Sequence, residues 1–188
     1  MKKDISLDPL KDVFLAIDIQ IDFCPGGSLP IQDGDKIVPV VNMWIKRCID
    51  ENIVCMFSRD FHPLRHPSFV TEGGPWPVHC VQDSEGAQFH PDLIVPETSI
   101  IITKGTRFDK DQNSAFDETG LHYLLKKMKM ERVLIAGLAL DVCVFATAVD
   151  SVKYGFKTVV IKDGCRPVTT EGEKVALKKM EELGINII

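Results

Sequence analysis

The chain has 188 residues, 45% of them apolar and 26% charged, with a formal net charge of -5 at pH 7. That length and mixture predict one soluble domain spanning 1–188, able to bury roughly 70% of its unfolded surface without staples. The acidic balance and the lack of a Lys/Arg stripe argue against a nucleic-acid partner, six scattered cysteines without a C-x-x-C pair argue against a thiolate metal cluster or dithiol redox motif, and Val13–Ile17 is too short an apolar run for a signal peptide or membrane span, so a cytoplasmic, reduced location is expected.

In chain order, the β-branched run Val13–Ile19 predicts a first strand and Asp35–Glu51 a first helix. A second strand over Ile53–Ser58 leads into Arg59–Ser99, rich in Pro, Gly and His and without a long helix; segments of that length inside a compact domain are usually functional or disordered, and its Phe, Trp and His content argues for an ordered one. Ile100–Thr103 predicts the third strand, and Glu118–Met130 a helix whose Leu121, Leu124, Leu125 and Met128 share one face. Arg132–Gly137 predicts the fourth strand and Asp141–Tyr154 a helix apolar nearly all round, hence buried. Lys157–Ile161, a helix over Thr170–Leu183 and a short Asn186–Ile188 strand complete the chain. Strands alternating with helices predict an α/β fold, a parallel sheet covered on both faces.

Four reactive polar residues fall at the carboxyl ends of these strands: Asp18, Asp60, Lys104 and Cys143. That is the edge where open parallel sheets bind ligands. Cys143 lies where a strand gives way to a helix. A thiol in a first helical turn meets the positive end of the macrodipole and unpaired N–H groups, which stabilise thiolate and could receive an oxyanion. Its apolar neighbours Val142, Val144, Phe145 and Ala146 equally suit a small core filler. Together with Asp18 as base and Lys104 as a cation favouring thiolate, Cys143 has the parts of a nucleophile site; singly, Asp18 could be a turn residue and Lys104 a solvated strand end. In the long segment Asp60 and His62 point the same way, and His79 can fold back to complete an Asp-His-His set suited to Zn²⁺, Fe²⁺ or Mn²⁺, with ordinary hydrogen-bonding histidines as the alternative. His90 and His122 are assigned ordinary roles, the latter on an exposed helix face.

These residues sit in four ordered motifs: Asp18-Ile19-Gln20-Ile21-Asp22-Phe23-Cys24-Pro25-Gly26-Gly27-Ser28-Leu29, then Arg59-Asp60-Phe61-His62-Pro63 with Trp76-Pro77-Val78-His79-Cys80, then Lys104-Gly105-Thr106, then Gly137-Leu138-Ala139-Leu140-Asp141-Val142-Cys143. From about Val13 to the end the chain resembles the isochorismatase-like cysteine hydrolases, and within them the members that hydrolyse nicotinamide to nicotinate and ammonia. The resemblance implies a three-layer Rossmann-like fold with six parallel strands and a triad of Cys143, Asp18 and Lys104. It also implies an oxyanion hole from the amides of Ala139 and Cys143, and one divalent metal, Zn²⁺ first and Fe²⁺ or Mn²⁺ after it, on Asp60, His62 and His79. Phe23 and Trp76 would be aromatic walls of the substrate pocket, with core packing the local alternative. A cis peptide is implied at Leu138–Ala139. His66 falls near a fourth histidine that only some members use as a ligand, at different spacing, and is placed outside the ligand set. Leu140 and Val142 depart from the family pattern and are expected to alter the pocket lining. Oligomeric state stays open, a homo-oligomer included. So do two rival functions: a same-family amidase for another small amide, and a catalytically silent metal-binding module.

Overall fold

The structure, a computed structural model, describes residues 5–188; the first four positions of the expected 1–188 domain lie outside it. Six strands form one parallel sheet: β1 (Asp12–Ile17), β2 (Val54–Asp60), β3 (Ile100–Lys104), β4 (Arg132–Leu138), β5 (Lys157–Arg166) and β6 (Asn186–Ile187). Their order is β3-β2-β1-β4-β5-β6, and every neighbouring pair is parallel, as the α/β reading expected. Central strands of a parallel sheet are covered on both faces, so they read as continuous apolar runs. Every residue of β1 is buried, as are those of β4 after Arg132. Phe14, Leu15, Phe57, Leu134 and Ile135 form the middle of this core, where truncating one phenylalanine to alanine costs about 3–5 kcal/mol.

The helices are α1 (Val38–Asp50), α2 (Leu121–Lys127), α3 (Phe145–Lys153) and α4 (Thr170–Glu182). Three differ from the sequence expectation for identifiable reasons. α1 is preceded by a separate tight turn, Gly34–Ile37, and carries Pro39 near its start, where the missing N–H is tolerated. α2 starts late because Glu118 and Gly120 take φ of 57° and 78°, outside the helical well. Leu121 and Leu125 are its buried contacts, with Leu124 and Met128 packed at the edge. α3 is not buried all round: Thr147, Ala148 and Ser151 face inward, while Ala146, Val149 and Val152 are half-buried.

β5 runs five residues beyond its expected end, because a register irregularity opposite Ile135–Gly137 lets Cys165 and Arg166 pair with Gly137 and Leu138. Gly137 itself admits no side chain, since a Cβ there would lie 2.1 Å from the Ile17 carbonyl oxygen, at φ 138°. The order in which successive strands are added changes sense between β1 and β4, and the crevice beyond their carboxyl ends is the topological switch point of such a sheet. No helix among the described residues is long and apolar enough to cross a membrane.

Candidate active site

The crevice gathers the strand-end residues picked out in the sequence. β2 and β3 pair in a register that sets Asp60 beside Lys104. Asp18 follows β1 directly and adopts φ 47°, a left-handed conformation that aspartate tolerates better than most residues. Cys143 does not open an α-helix: Leu140–Val144 form a wider π turn, closed by Val144 N–H donating to the Ala139 carbonyl at 3.0 Å, and α3 begins only at Phe145. Turns of this kind recur at functional sites. The Leu138–Ala139 peptide is cis, as the resemblance implied.

Lys104, fully buried, is the hub of the cluster. Its Nζ lies 2.8 Å from Asp18 Oδ2, 2.6 Å from Asp60 Oδ1 and 3.5 Å from Cys143 Sγ. Ser58 Oγ donates to Asp18 Oδ1 at 2.6 Å. Burial works against the Lys104 charge, but Asp18 and Asp60 outweigh it and hold the ammonium well above its ordinary range. For Asp18 burial wins: its carboxyl is raised, with Lys104 opposing and Asp60 reinforcing the rise. Asp60 feels the same burial, yet Lys104 and His62 bring it below the ordinary carboxylate value.

The thiol behaves opposite to the expectation from helix position. Burial is the largest influence on Cys143 and pushes its thiol well above the ordinary range; Lys104 opposes this, while the Asp18 and Asp60 carboxylates add to it. Desolvation and two nearby negative charges exceed what a helix terminus supplies. A thiol pushed upward in this way needs a base in contact with it in order to react. Asp18, raised and adjacent, is better matched to that transfer than an ordinary carboxylate.

On the other wall, donor atoms of Asp60, His62 and His79 lie within 4.8 Å of one another. His62 Nδ1–H donates to the Gly105 carbonyl and His79 Nδ1–H to the Pro77 carbonyl, each at 2.7 Å. Such contacts fix the tautomer and leave the Nε2 lone pair for a ligand. His62 Nε2 is buried without a hydrogen-bond partner and lies 3.8 Å from Asp60 Oδ2, the oxygen that Lys104 does not take at its shorter contact. One carboxylate and two imidazoles, one of them with an orphaned Nε2, fit a borderline divalent ion. Gly105 is required by this packing: its φ is 69°, and a Cβ would lie 2.4 Å from His62 Cε1.

Phe23 and Trp76 both line the cavity between the two walls, together with Leu29, Ile31, Ala139, Val142 and Val168. Phe23 also packs on His79, ring centroids 5.5 Å apart. Of the two departures from the family pattern, Val142 reaches the cavity; Leu140 is buried in the core and is absent from the lining, so the expectation that it alters the pocket is corrected. His122 is half-buried and stacked on Tyr154 at 4.2 Å rather than exposed. A wider groove along α1, bordered by Pro39, Lys46 and Asp92, contains neither the cysteine nor these histidines.

Several supporting residues were not singled out from the sequence. Gln20 clamps the end of β2, accepting from the Asp60 N–H at 2.8 Å and donating to the Asp60 carbonyl at 2.7 Å. Asp22 accepts from the Cys80 N–H at 2.7 Å, tying the His79 segment to the β1 side. Phe69, fully buried, sits against the rings of His62, His66 and His79 at 5.5–5.7 Å. Asp111 and Asn113 also line the cavity. The signal in the sequence was the polar residues inside the Asp18–Leu29 motif, Gln20 and Asp22.

The family described as Isochorismatase domain matches residues 12–188. The chain is 36% identical to a nicotinamidase of Escherichia coli (strain K12), over 89% of this chain and 88% of that protein. It is 30% identical to a nicotinamidase of Saccharomyces cerevisiae, over 93% and 97%. Among solved structures, a pyrazinamidase of Pyrococcus horikoshii in complex with zinc superposes with a TM-score of 0.92 at 40% identity, over 95% of this chain and 98% of that one. PnC1 from L. infantum in complex with nicotinate gives 0.91 at 34%, over 98% and 95%.

Proposed function

The chain belongs to the isochorismatase family, and on that premise we propose that it is a metal-dependent cysteine amidohydrolase converting nicotinamide to nicotinate and ammonia through a thioester on Cys143. The observation that carries the reading is the pairing, across one cavity, of a thiol in contact with a buried base and cation and a trio of metal-type donors. Its relatives' activities and the zinc and nicotinate complexes support it.

In this reading Asp18 takes the thiol proton as Cys143 Sγ bonds to the carboxamide carbon. The negative charge that develops on the carboxamide oxygen is received by the amides of Ala139 and Cys143. The C–N bond breaks as Asp18 returns the proton to the leaving nitrogen, giving ammonia and the thioester. Water then attacks, its proton passing to Asp18; the C–S bond breaks, and the thiol is restored with release of the acid. Lys104 holds Asp18 in position and stabilises the negative charge that builds up on the sulfur. Phe23 and Trp76 confine the ring. Asp60, His62 and His79 would hold a divalent ion, Zn²⁺ or else Fe²⁺ or Mn²⁺, which supplies a Lewis acid to anchor and orient the pyridine nitrogen.

Ammonia release from nicotinamide, pyrazinamide and non-pyridine amides, before and after chelation and metal restoration, tests the assignment. Turnover of the pyridine amide that falls on chelation and returns with the ion is expected. Preference for other amides with indifference to chelator would overturn it in favour of the rival amidase.

A further inference from the structure

A second trio abuts the first. Donor atoms of His62, His66 and Asp111 also lie within 4.8 Å of one another, and neither His66 nor Asp111 has a part in the reaction described above. His66 is fully buried, its ring centroid 4.1 Å from that of His62, and its Nε2 has no hydrogen-bond partner. Its Nδ1 lies 2.7 Å from Ser68 Oγ. Asp111 is half-buried on the cavity wall and uses Oδ1 to accept the Gln112 N–H at 2.8 Å. Because His62 Nδ1 is committed to the Gly105 carbonyl, His62 offers one lone pair. It cannot serve two ions at once, so an ion on one trio excludes an ion on the other, while Asp111 lines the same cavity as Asp60, His62 and His79.

Charge gives the second trio a purpose. The carboxylates of Asp18 and Asp60 face the single Lys104 ammonium, two negative charges against one positive. A divalent cation on Asp60, His62 and His79 would turn that into one excess positive charge in a buried place, which is costly. The carboxylate of Asp111, facing the same histidines, brings the sum to zero.

Resting on the metal reading above, we propose that Asp111 is a further residue of the ion site, balancing the charge of the bound divalent cation from the His66 side, so that the ion is held by a charge-matched set larger than Asp60, His62 and His79. The test is the affinity of the chelator-stripped protein for Zn²⁺ and Mn²⁺, measured by titration against a competing chelator, with Asp111→Asn, Asp111→Glu and His79→Ala beside the unaltered chain and thermal melts of each stripped protein as a check on folding. Asp111→Asn is expected to lose about 10–100-fold in affinity, the scale on which groups supporting a metal's ligands act, while Asp111→Glu, which keeps the charge, retains most of it. Unchanged affinity in Asp111→Asn alongside a large loss in His79→Ala would overturn the role of Asp111 and leave the ion site standing. Equal losses in Asp111→Glu and Asp111→Asn would overturn the charge argument, and Asp111→Ser, titrated in the same way, takes the place of Asp111→Asn if that variant fails to fold. Failure of the unaltered chain to bind either ion would overturn the metal reading itself.

Discussion

Replacing Lys104 by methionine removes a cation that is fully buried between two buried carboxylates, with Nζ 2.8 Å from Asp18 and 2.6 Å from Asp60. Methionine fills nearly the same space, so the change is chiefly one of charge. Breaking a buried pair by removing one partner costs about 3–5 kcal/mol. At about 2–4 °C per kcal/mol for a domain of this size, the melting temperature should fall by about 6–20 °C. The pH dependence identifies the cause. Asp18 already has a raised carboxyl in the intact protein, and losing Lys104, which lowers it, raises it further. A carboxyl raised above its unfolded value costs stability above the folded pKa, and the cost shrinks as pH falls towards the unfolded value of about 3.9. Urea denaturation of Lys104→Met from neutral to mildly acidic pH should therefore show a deficit that narrows on acidification. Adding Asp18→Asn should recover part of the loss at neutral pH. A deficit below about 1 kcal/mol, the scale of an exposed pair, or one that widens on acidification, would refute the reasoning.

Other outcomes follow from the same geometry. Cys143→Ala should lower ammonia release by more than about 10⁴-fold with the fold intact by circular dichroism, the scale on which loss of a nucleophile acts. Ser58→Ala removes a hydrogen bond that favours the Asp18 carboxylate, so the acid limb of the kcat/KM profile should move to higher pH; a limb that stays in place would detach it from Asp18. Gly105→Ala forces a side chain against His62 at a positive φ. It should cost about 1–3 kcal/mol in denaturation and weaken metal retention in dialysis, because the displaced ring carries a proposed ligand.

The parallel strands, the clustering of Asp18, Asp60, Lys104 and Cys143, and the convergence of Asp60, His62 and His79 were all legible in the sequence. Apolar runs locate strands, and parallel strands put their carboxyl ends on one edge, so residues far apart in the chain meet by topology alone. What the sequence hid depends on distant packing. The segment from 59 to 99 reads as a loop; its order comes from Gln20, Asp22 and the isolated bridges His62–Val81 and Phe69–Trp76, which no local period encodes. The extension of β5 likewise depends on its neighbour β4 rather than on its own polar residues Lys162 and Asp163. The upward push on the Cys143 thiol was not legible, because position near a helix start is local, whereas burial and the facing carboxylates are set by the whole fold.

The central claim, that Cys143 attacks the carboxamide carbon, is tested most directly by quenching the metal-loaded enzyme with acid during turnover of nicotinamide and mapping any added mass by peptide mass spectrometry. The account predicts one nicotinoyl group on the peptide containing Cys143, formed within a single turnover and lost as nicotinate appears. Turnover in Cys143→Ala at an undiminished rate, or an acyl group mapped to another residue, would contradict it.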